Sequence, residues 1–397
     1  MRNLSASDNI LAKLHSLVIF RNILSDRAIK MLTAILTPDE IKLNKKIDIY
    51  CEFTRSLFEK TTSLTDYILG LVLSDENFYV KIIGKGETPP PIFENCLKNE
   101  LSVLENLSHL EARDLKKLIG YDGYLPEWET SQIDLFKAFN SRMESICVSG
   151  YGIYSQNLMF SLLNNEIVPV KTPDSVRLSD LKGYERERSI VIENTLALLD
   201  SKPAANTLLY GDAGTGKSST VKAVVNEYGS RGLRLVEVRK NQLLEIPSVI
   251  EKLSENPLKF IVFIDDLSFI HSNEETGALK AILEGSAFAK TPNIAIYATS
   301  NRRHIVNETF SDRGSDDIHR NETIEEQTSL SDRFGLSVNF IKPNKKNYLE
   351  IVHKLILQHE IDTDDYDVDL LAERFALDKG GRSPRTAKHF VEYLKRK

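Results

Sequence analysis

The stretch Leu208-Leu209-Tyr210-Gly211-Asp212-Ala213-Gly214-Thr215-Gly216-Lys217-Ser218-Ser219 decides how the chain is read. A short apolar run enters the pattern G-x-x-x-x-G-K-[ST], and a helical pattern leaves it and continues through Val225. Each residue type has a physical task there. Glycines let the backbone wrap closely around anionic oxygens, while amide hydrogens and a helix N-terminus point at them. A lysine at the position of Lys217 reaches the outer phosphates of a nucleotide, and a hydroxyl at Ser218 ligates magnesium. Residues 211–219 are therefore the expected nucleotide-binding segment.

Working outward, Phe260-Ile261-Val262-Phe263-Ile264 is an apolar strand that ends in Asp265-Asp266. Asp265 is placed to hold the magnesium shell together with Ser218, and Asp266 to polarise an attacking water. Ile294-Ala295-Ile296-Tyr297-Ala298-Thr299 runs into Ser300-Asn301, where an amide can orient that water. Taken singly, an Asp pair or an Asn after a strand also reads as a turn. Asp266 is one methylene shorter than glutamate, so Glu274 and Glu275 stand as alternative bases.

The spacing around these motifs alternates strands with helices. Strand patterns lie at 207–210, 233–238, 260–264, 294–299 and 336–340, and a helical pattern covers 185–199, which predicts a parallel sheet covered by helices. Three helical segments at 346–358, 369–376 and 386–395 have no strand between them and predict a small lid. Ahead of residue 165 the pattern is mostly helical, with apolar repeats at 9–36, 49–58, 64–73, 97–110 and 133–146 and a proline-rich loop at 84–91. Ser25 and Asp26 offer a helix start. The expected domains are 1–165, a mostly helical N-terminal domain; 166–342, an α/β core; and 343–397, a helical lid.

Composition narrows the function classes. The chain has 397 residues, 41% hydrophobic and 27% charged, with 51 basic against 57 acidic side chains and a net charge of -6. Neither half carries a positive excess, so a general attraction to nucleic acid is disfavoured. Cys51, Cys96 and Cys147 form no Cys-x-x-Cys pair, and the histidines form no ligand set, leaving magnesium with the nucleotide as the expected metal. No apolar run approaches the roughly 20 residues of a membrane span, and residues 1–5 lack a signal-peptide pattern. A cytoplasmic chain with no membrane role is expected.

The order of these motifs resembles the AAA+ ATPases, P-loop ATPases of the ring-forming type, over residues 181–397. The resemblance implies ATP and Mg2+ as cofactors. It also implies adenine contacts from Gly183-Tyr184-Glu185 and a first sensor at Asn301. Arg333, within Ser331-Asp332-Arg333-Phe334-Gly335, matches the arginine finger, supplied in trans within a homo-oligomer. Arg385, within Gly381-Arg382-Ser383-Pro384-Arg385-Thr386-Ala387, matches a second sensor, with Arg382 as its alternative. The loop stretch, Asp265-Asp266-Leu267-Ser268-Phe269, Tyr297 to His304, Leu330 to Gly335, and upstream Leu178-Ser179-Asp180-Leu181-Lys182-Gly183 together resemble a bacterial AAA+ family called domain of unknown function 815.

The implied function is hydrolysis of ATP to ADP and phosphate, driving a conformational change on an unidentified protein partner. A switch or adaptor with little hydrolysis is the alternative. A DNA-associated loader-type ATPase is another, with local cations at Lys42, Lys45 and Lys46, at Lys342, Lys345 and Lys346, and at 395–397. An intrachain ion pair of Arg333 with Asp332, Glu322, Glu325 or Glu326 competes with the finger role. The polar segment 302–329 reads either as a subunit or partner contact or as a solvated loop.

Overall fold

The computed structural model describes residues 6–37, 42–267, 273–284, 291–301, 333–363 and 367–396. They form two compact units, Met1–Gln156 with Glu255–Pro257, and Asn157–Ser254 with Leu258–Lys397.

Among the described residues of the first unit the α-helices are α1 (Ala6–His15), α2 (Arg27–Leu36), α3 (Leu43–Phe58), α4 (Leu64–Ser74), α5 (Phe78–Gly84), α6 (Pro91–Ser108), α7 (Ala112–Ile119), α8 (Leu135–Glu144) and α9 (Ile146–Ser149), joined by turns and loops. Local chemistry starts many of them. Asp26 accepts hydrogen bonds from the amides of Ala28 and Ile29 at the head of α2. Ser63, Asn77 and Asp134 cap α4, α5 and α8 in the same way, each satisfying an amide that a helix start leaves unpaired. Helices α5 and α7 were not anticipated, because seven and eight residues carry too little periodicity to separate from loop.

The core of this unit gathers Phe20, Ile29, Leu32, Phe53, Leu64, Ile68, Leu104 and Phe139. One charge is buried among them. Glu100 is 5% exposed, and its carboxylate accepts from the amides of Val18 at 2.8 Å, Ile19 at 3.1 Å and Phe20 at 3.0 Å. A carboxylate so placed gives three amides an acceptor, and those of Ile19 and Phe20 are buried.

The second unit begins earlier than the expected boundary of 165/166. Strand β1 (Met159–Leu163) pairs antiparallel with β2 (Glu166–Pro169), so a boundary at 165 would cut a hairpin. Its turn is Asn164-Asn165, both with positive φ, which asparagine tolerates. The remaining strands are β3 (Thr207–Gly211), β4 (Leu233–Val238), β5 (Lys259–Ile264), β6 (Ile294–Ser300) and β7 (Leu336–Phe340). Their order is β2-β1-β4-β5-β6-β3-β7, and every pair except β1/β2 is parallel.

Helices α10 (Glu185–Leu199), α11 (Lys217–Tyr228), α12 (Ile246–Ser254) and α13 (Asn273–Glu284) accompany the sheet. Val191 and Leu198 of α10 and Val221, Val224 and Val225 of α11 pack against Leu209, Leu235, Phe263, Tyr297 and Val338. The alternate strand residues Leu208, Val236, Phe260 and Val262 are also buried, so both faces of the sheet are covered. The lid is α14 (Lys345–Gln358), α15 (Val368–Asp378) and α16 (Pro384–Leu394), with its own core of Tyr348, Ile351, Val352, Ala372, Ala387 and Phe390. Among the described residues no helix is long and apolar enough to cross a membrane.

Two substitutions test this architecture. Glu100→Ala leaves three amides without their acceptor, two of them buried, and should lower the stability of the N-terminal unit by about 3 kcal/mol in denaturant unfolding of the full chain. Gly211 has φ +126, and a Cβ there would lie 2.3 Å from the Phe340 carbonyl oxygen. Gly211→Ala should therefore cost at least about 2 kcal/mol in the second unit, read from the same curves.

Candidate functional site

The parallel register places Gly211 opposite Phe340, and the chain leaves β3 in a conformation open mainly to glycine. The amide of Asp212 donates to the Phe340 carbonyl at 3.0 Å. Asp212 Oδ2 accepts from the Lys342 amide at 2.7 Å, so this side chain braces the loop rather than pointing into it. After Ala213, Gly214 (φ +79) and Gly216 (φ +93) are again left-handed, and the Thr215 hydroxyl donates to the Asp212 carbonyl at 2.8 Å. Helix α11 begins at Lys217 with no side-chain cap at Gly216. The first amides of α11, at Lys217, Ser218 and Ser219, thus present the positive end of the helix to the loop.

Lys217 is 6% exposed. Its Nζ donates to the carbonyls of Gly211 at 2.9 Å and Asp212 at 2.8 Å and to Asn301 Oδ1 at 3.1 Å. Burial holds its pKa below the usual lysine value; Asp212, Asp265 and Asp266 oppose that shift and Arg385 adds to it. The lid arginine and the loop lysine therefore feel one another's charge, an arrangement that an anion between them would relieve.

The carboxylates meet the loop from β5. The Ser218 hydroxyl donates to Asp265 Oδ1 at 2.6 Å. Asp266 has φ +53; its Oδ1 accepts from Asn301 Nδ2 at 3.1 Å and its Oδ2 from Lys240 Nζ at 3.2 Å. Lys217, Asn301, Asp266 and Lys240 thus form one continuous chain of polar contacts. A hydroxyl and a carboxylate 2.6 Å apart beside a phosphate-type loop are hard oxygen donors suited to magnesium.

A cavity of about 600 Å3 opens beside the loop, walled by Thr215, Gly216, Thr220, Leu181, Ile351, Leu355 and Arg385 among others. The lid closes directly on it: the Arg385 amide donates to the Gly214 carbonyl at 3.2 Å, and a Cβ on Gly214 would come within 3.3 Å of Arg385 Cβ. Arg382 is held elsewhere. Its guanidinium takes both oxygens of Glu373, at 2.9 and 2.5 Å, so Arg385 is the lid arginine that faces the cavity.

Gly183 and Tyr184, the expected adenine contacts, pack against the lid and the end of β7. Gly183 (φ +77) packs on Ile351, where a Cβ would approach to 2.8 Å. The Tyr184 hydroxyl donates to the Ile341 carbonyl at 2.6 Å and its ring lies 5.4 Å from that of Phe340. Residues 180–182, just before them, line the cavity instead.

Arg333 is not brought to the loop of its own chain. It precedes β7, whose first residue, Leu336, pairs with Thr207 and whose last, Phe340, pairs with Gly211. The two ends of this five-residue strand lie about 13 Å apart at the rise of a β-strand, and Arg333 stands beyond the far one. Residues 302–332, with Asp332 and Glu322, Glu325 and Glu326, lie outside the described residues, as do the side chains of Glu274 and Glu275.

Two residues of the cluster, Lys240 and Thr299, lie outside the residues expected from the motifs. Lys240 follows β4 and carries no motif, so nothing in the sequence marks it. Thr299 donates its hydroxyl to Asp265 Oδ1 at 2.5 Å and accepts from the Asp266 amide at 2.8 Å. Its signal was the register of β5 on β6, Ile264 opposite Ala298, which puts Thr299 beside Asp265.

The family described as "Protein of unknown function (DUF815)" matches residues 155–397. Part of the chain is similar to the proteasome-activating nucleotidase of Methanosarcina mazei, 30% identical over 126 residues, 28% of this chain and 30% of that protein. Another match is the replication factor C large subunit of Sulfolobus acidocaldarius, 31% identical over 102 residues, 24% of this chain and 23% of that protein. The chain thus spans less than a third of the length of either curated relative. Among solved structures, the RuvB Holliday junction branch migration motor of Thermotoga maritima aligns with 56% of this chain and 63% of its own, at 16% identity and a TM-score of 0.37. The family match takes in the sheet, the phosphate loop and the lid, and the chain belongs to the DUF815 family.

Proposed function

We propose that the second unit binds ATP with magnesium and hydrolyses it, moving the lid and so acting on a protein partner. The observation that carries this reading is the convergence of Lys217, Asp265, Asp266 and Asn301, from three different strand ends, on one glycine loop. Residues 211–219 cradle the phosphates through backbone amides, and Lys217 exchanges its carbonyl partners for the outer phosphate oxygens. Ser218 and Asp265 would hold magnesium, which when bound polarises the phosphoryl oxygens. Asn301 orients the water and Asp266 takes its proton, so most of the catalysis is positioning.

Arg385 sits on the cavity wall and tethers its backbone to Gly214; loss of the outer phosphate would change the lid's attachment at that point. Arg333, a strand length from its own loop, suits a finger that completes the site of a neighbouring copy in a homo-oligomer. Similarity to a protein named a nucleotidase over part of the chain supports the nucleotide assignment. A second reading, an ATP-dependent switch with little turnover, is favoured by the Lys240–Asp266 ion pair, which occupies one oxygen of the proposed base.

Calorimetry should show uptake of Mg-ATP by the full chain and a loss of at least about a hundredfold in affinity for Lys217→Ala, which removes a buried charge-assisted contact. No uptake by the wild type would refute the reading. Asp266→Asn should keep ATP affinity while lowering turnover by about 10²- to 10⁴-fold. If phosphate release is negligible in the wild type while a partner is retained with ATP and released with ADP, the switch reading replaces hydrolysis. With Arg333 acting in trans, turnover per chain should rise with protein concentration, and Arg333→Ala should abolish that rise by lowering turnover about 10³-fold at unchanged binding.

A further inference from the structure

We propose that Thr299 is a positioning residue that sets both carboxylates at once, turning Asp265 toward the magnesium position and holding Asp266 in its left-handed turn. The inference rests on the nucleotide reading above for its consequence, but its geometry stands in the protein alone. Thr299 is 2% exposed, so its contacts are not exchanged for water. Its hydroxyl oxygen lies 2.5 Å from Asp265 Oδ1 and 2.8 Å from the Asp266 amide nitrogen. An amide can only donate, so the hydroxyl accepts there and spends its single proton on Asp265. The Thr299 carbonyl accepts from the Leu267 amide at 2.7 Å. One residue of β6 therefore supplies three bonds to the consecutive residues 265, 266 and 267.

Each bond has a consequence. Asp265 Oδ1 accepts from both Thr299 and Ser218, so the threonine fixes the carboxylate rotamer that meets the loop hydroxyl. Partners of metal-ligating carboxylates set ligand orientation and strength. Asp266 has φ +53, a region that side chains other than Asn and Asp visit rarely. The Asp266 amide is anchored in that turn by the buried hydroxyl, and the side chain emerges toward Asn301 and Lys240. A β-branched residue on a strand has a restricted χ1, which keeps the hydroxyl on this side. Valine would keep the shape and lose all of the hydroxyl chemistry, whereas serine would keep it.

The full chain carrying Thr299→Val or Thr299→Ser tests this in two arms. In nucleotide-free protein, amide hydrogen exchange over residues 265–267 should quicken about tenfold in the Val variant and stay near wild type in the Ser variant. In the second arm, ATP uptake is titrated against magnesium. The Val variant should need about ten- to a hundredfold more magnesium, with ATP affinity in excess chelator unchanged and the Ser variant near wild type. Unchanged exchange and unchanged magnesium demand in Thr299→Val would overturn the inference, as would a Ser variant that behaves like Val. Thr299→Ala, which also lacks the hydroxyl, replaces a Val variant that does not fold. If the wild type takes up no ATP, the nucleotide reading fails by itself, and the exchange arm alone decides the role of the hydroxyl.

Discussion

The absence of a side chain at Gly211 lets the end of β3 press against the carbonyl of Phe340, closer than any Cβ permits. That contact turns the chain away from the strand direction with φ +126 and starts the loop around a concave row of amides. The Asp212 amide and carboxylate then bond to Phe340 and Lys342 at the end of β7, so the loop is braced by backbone on its outer side. Everything downstream inherits this position. Lys217 becomes the first residue of α11, its stem buried and its ammonium folded back over the loop.

Charge is balanced inside the cluster in a way that suits exchange of partners. Lys217 is desolvated and leans on carbonyl oxygens and an amide oxygen, weaker partners than a phosphate. Asp266 is shared between an amide and a lysine. An arriving polyphosphate would therefore replace one set of polar contacts with another, without exposing a buried charge that has no partner.

The lid meets the α/β part of its unit at the phosphate loop and at the head of α10. At one, α16 starts with Ser383 capping and Pro384 in the first turn, and the Arg385 amide bonds to Gly214. At the other, Ile351 of α14 packs on Gly183, while Lys354 pairs with Glu185 at 3.2 Å at the head of α10. Ile351 and Arg385 both line the cavity, so two lid helices border it. Their attachment is a matter of contiguous packing rather than of any one residue.

Much of the second unit was legible from residue order. The glycine pattern demands a strand before and a helix after it, and the strands at 207–211, 233–238, 259–264, 294–300 and 336–340 follow from short apolar runs. Asp265 and Asn301 were readable because each ends such a run. The start of this unit was less legible: Met159-Phe160-Ser161-Leu162-Leu163 has no strict alternation, and only its pairing with β2 and β4 makes it a strand. Residue order alone says which backbone can wrap an anion, since glycine and helix-start chemistry are local properties. Which side chains meet there is set by the packing of strands and helices. The placement of Arg385 rather than Arg382 at the cavity, the position of Arg333, the packing of Gly183 and Tyr184, and the contacts of Lys240 and Thr299 all depend on strand register and lid packing. Those contacts join residues far apart in the chain, and no local periodicity encodes them.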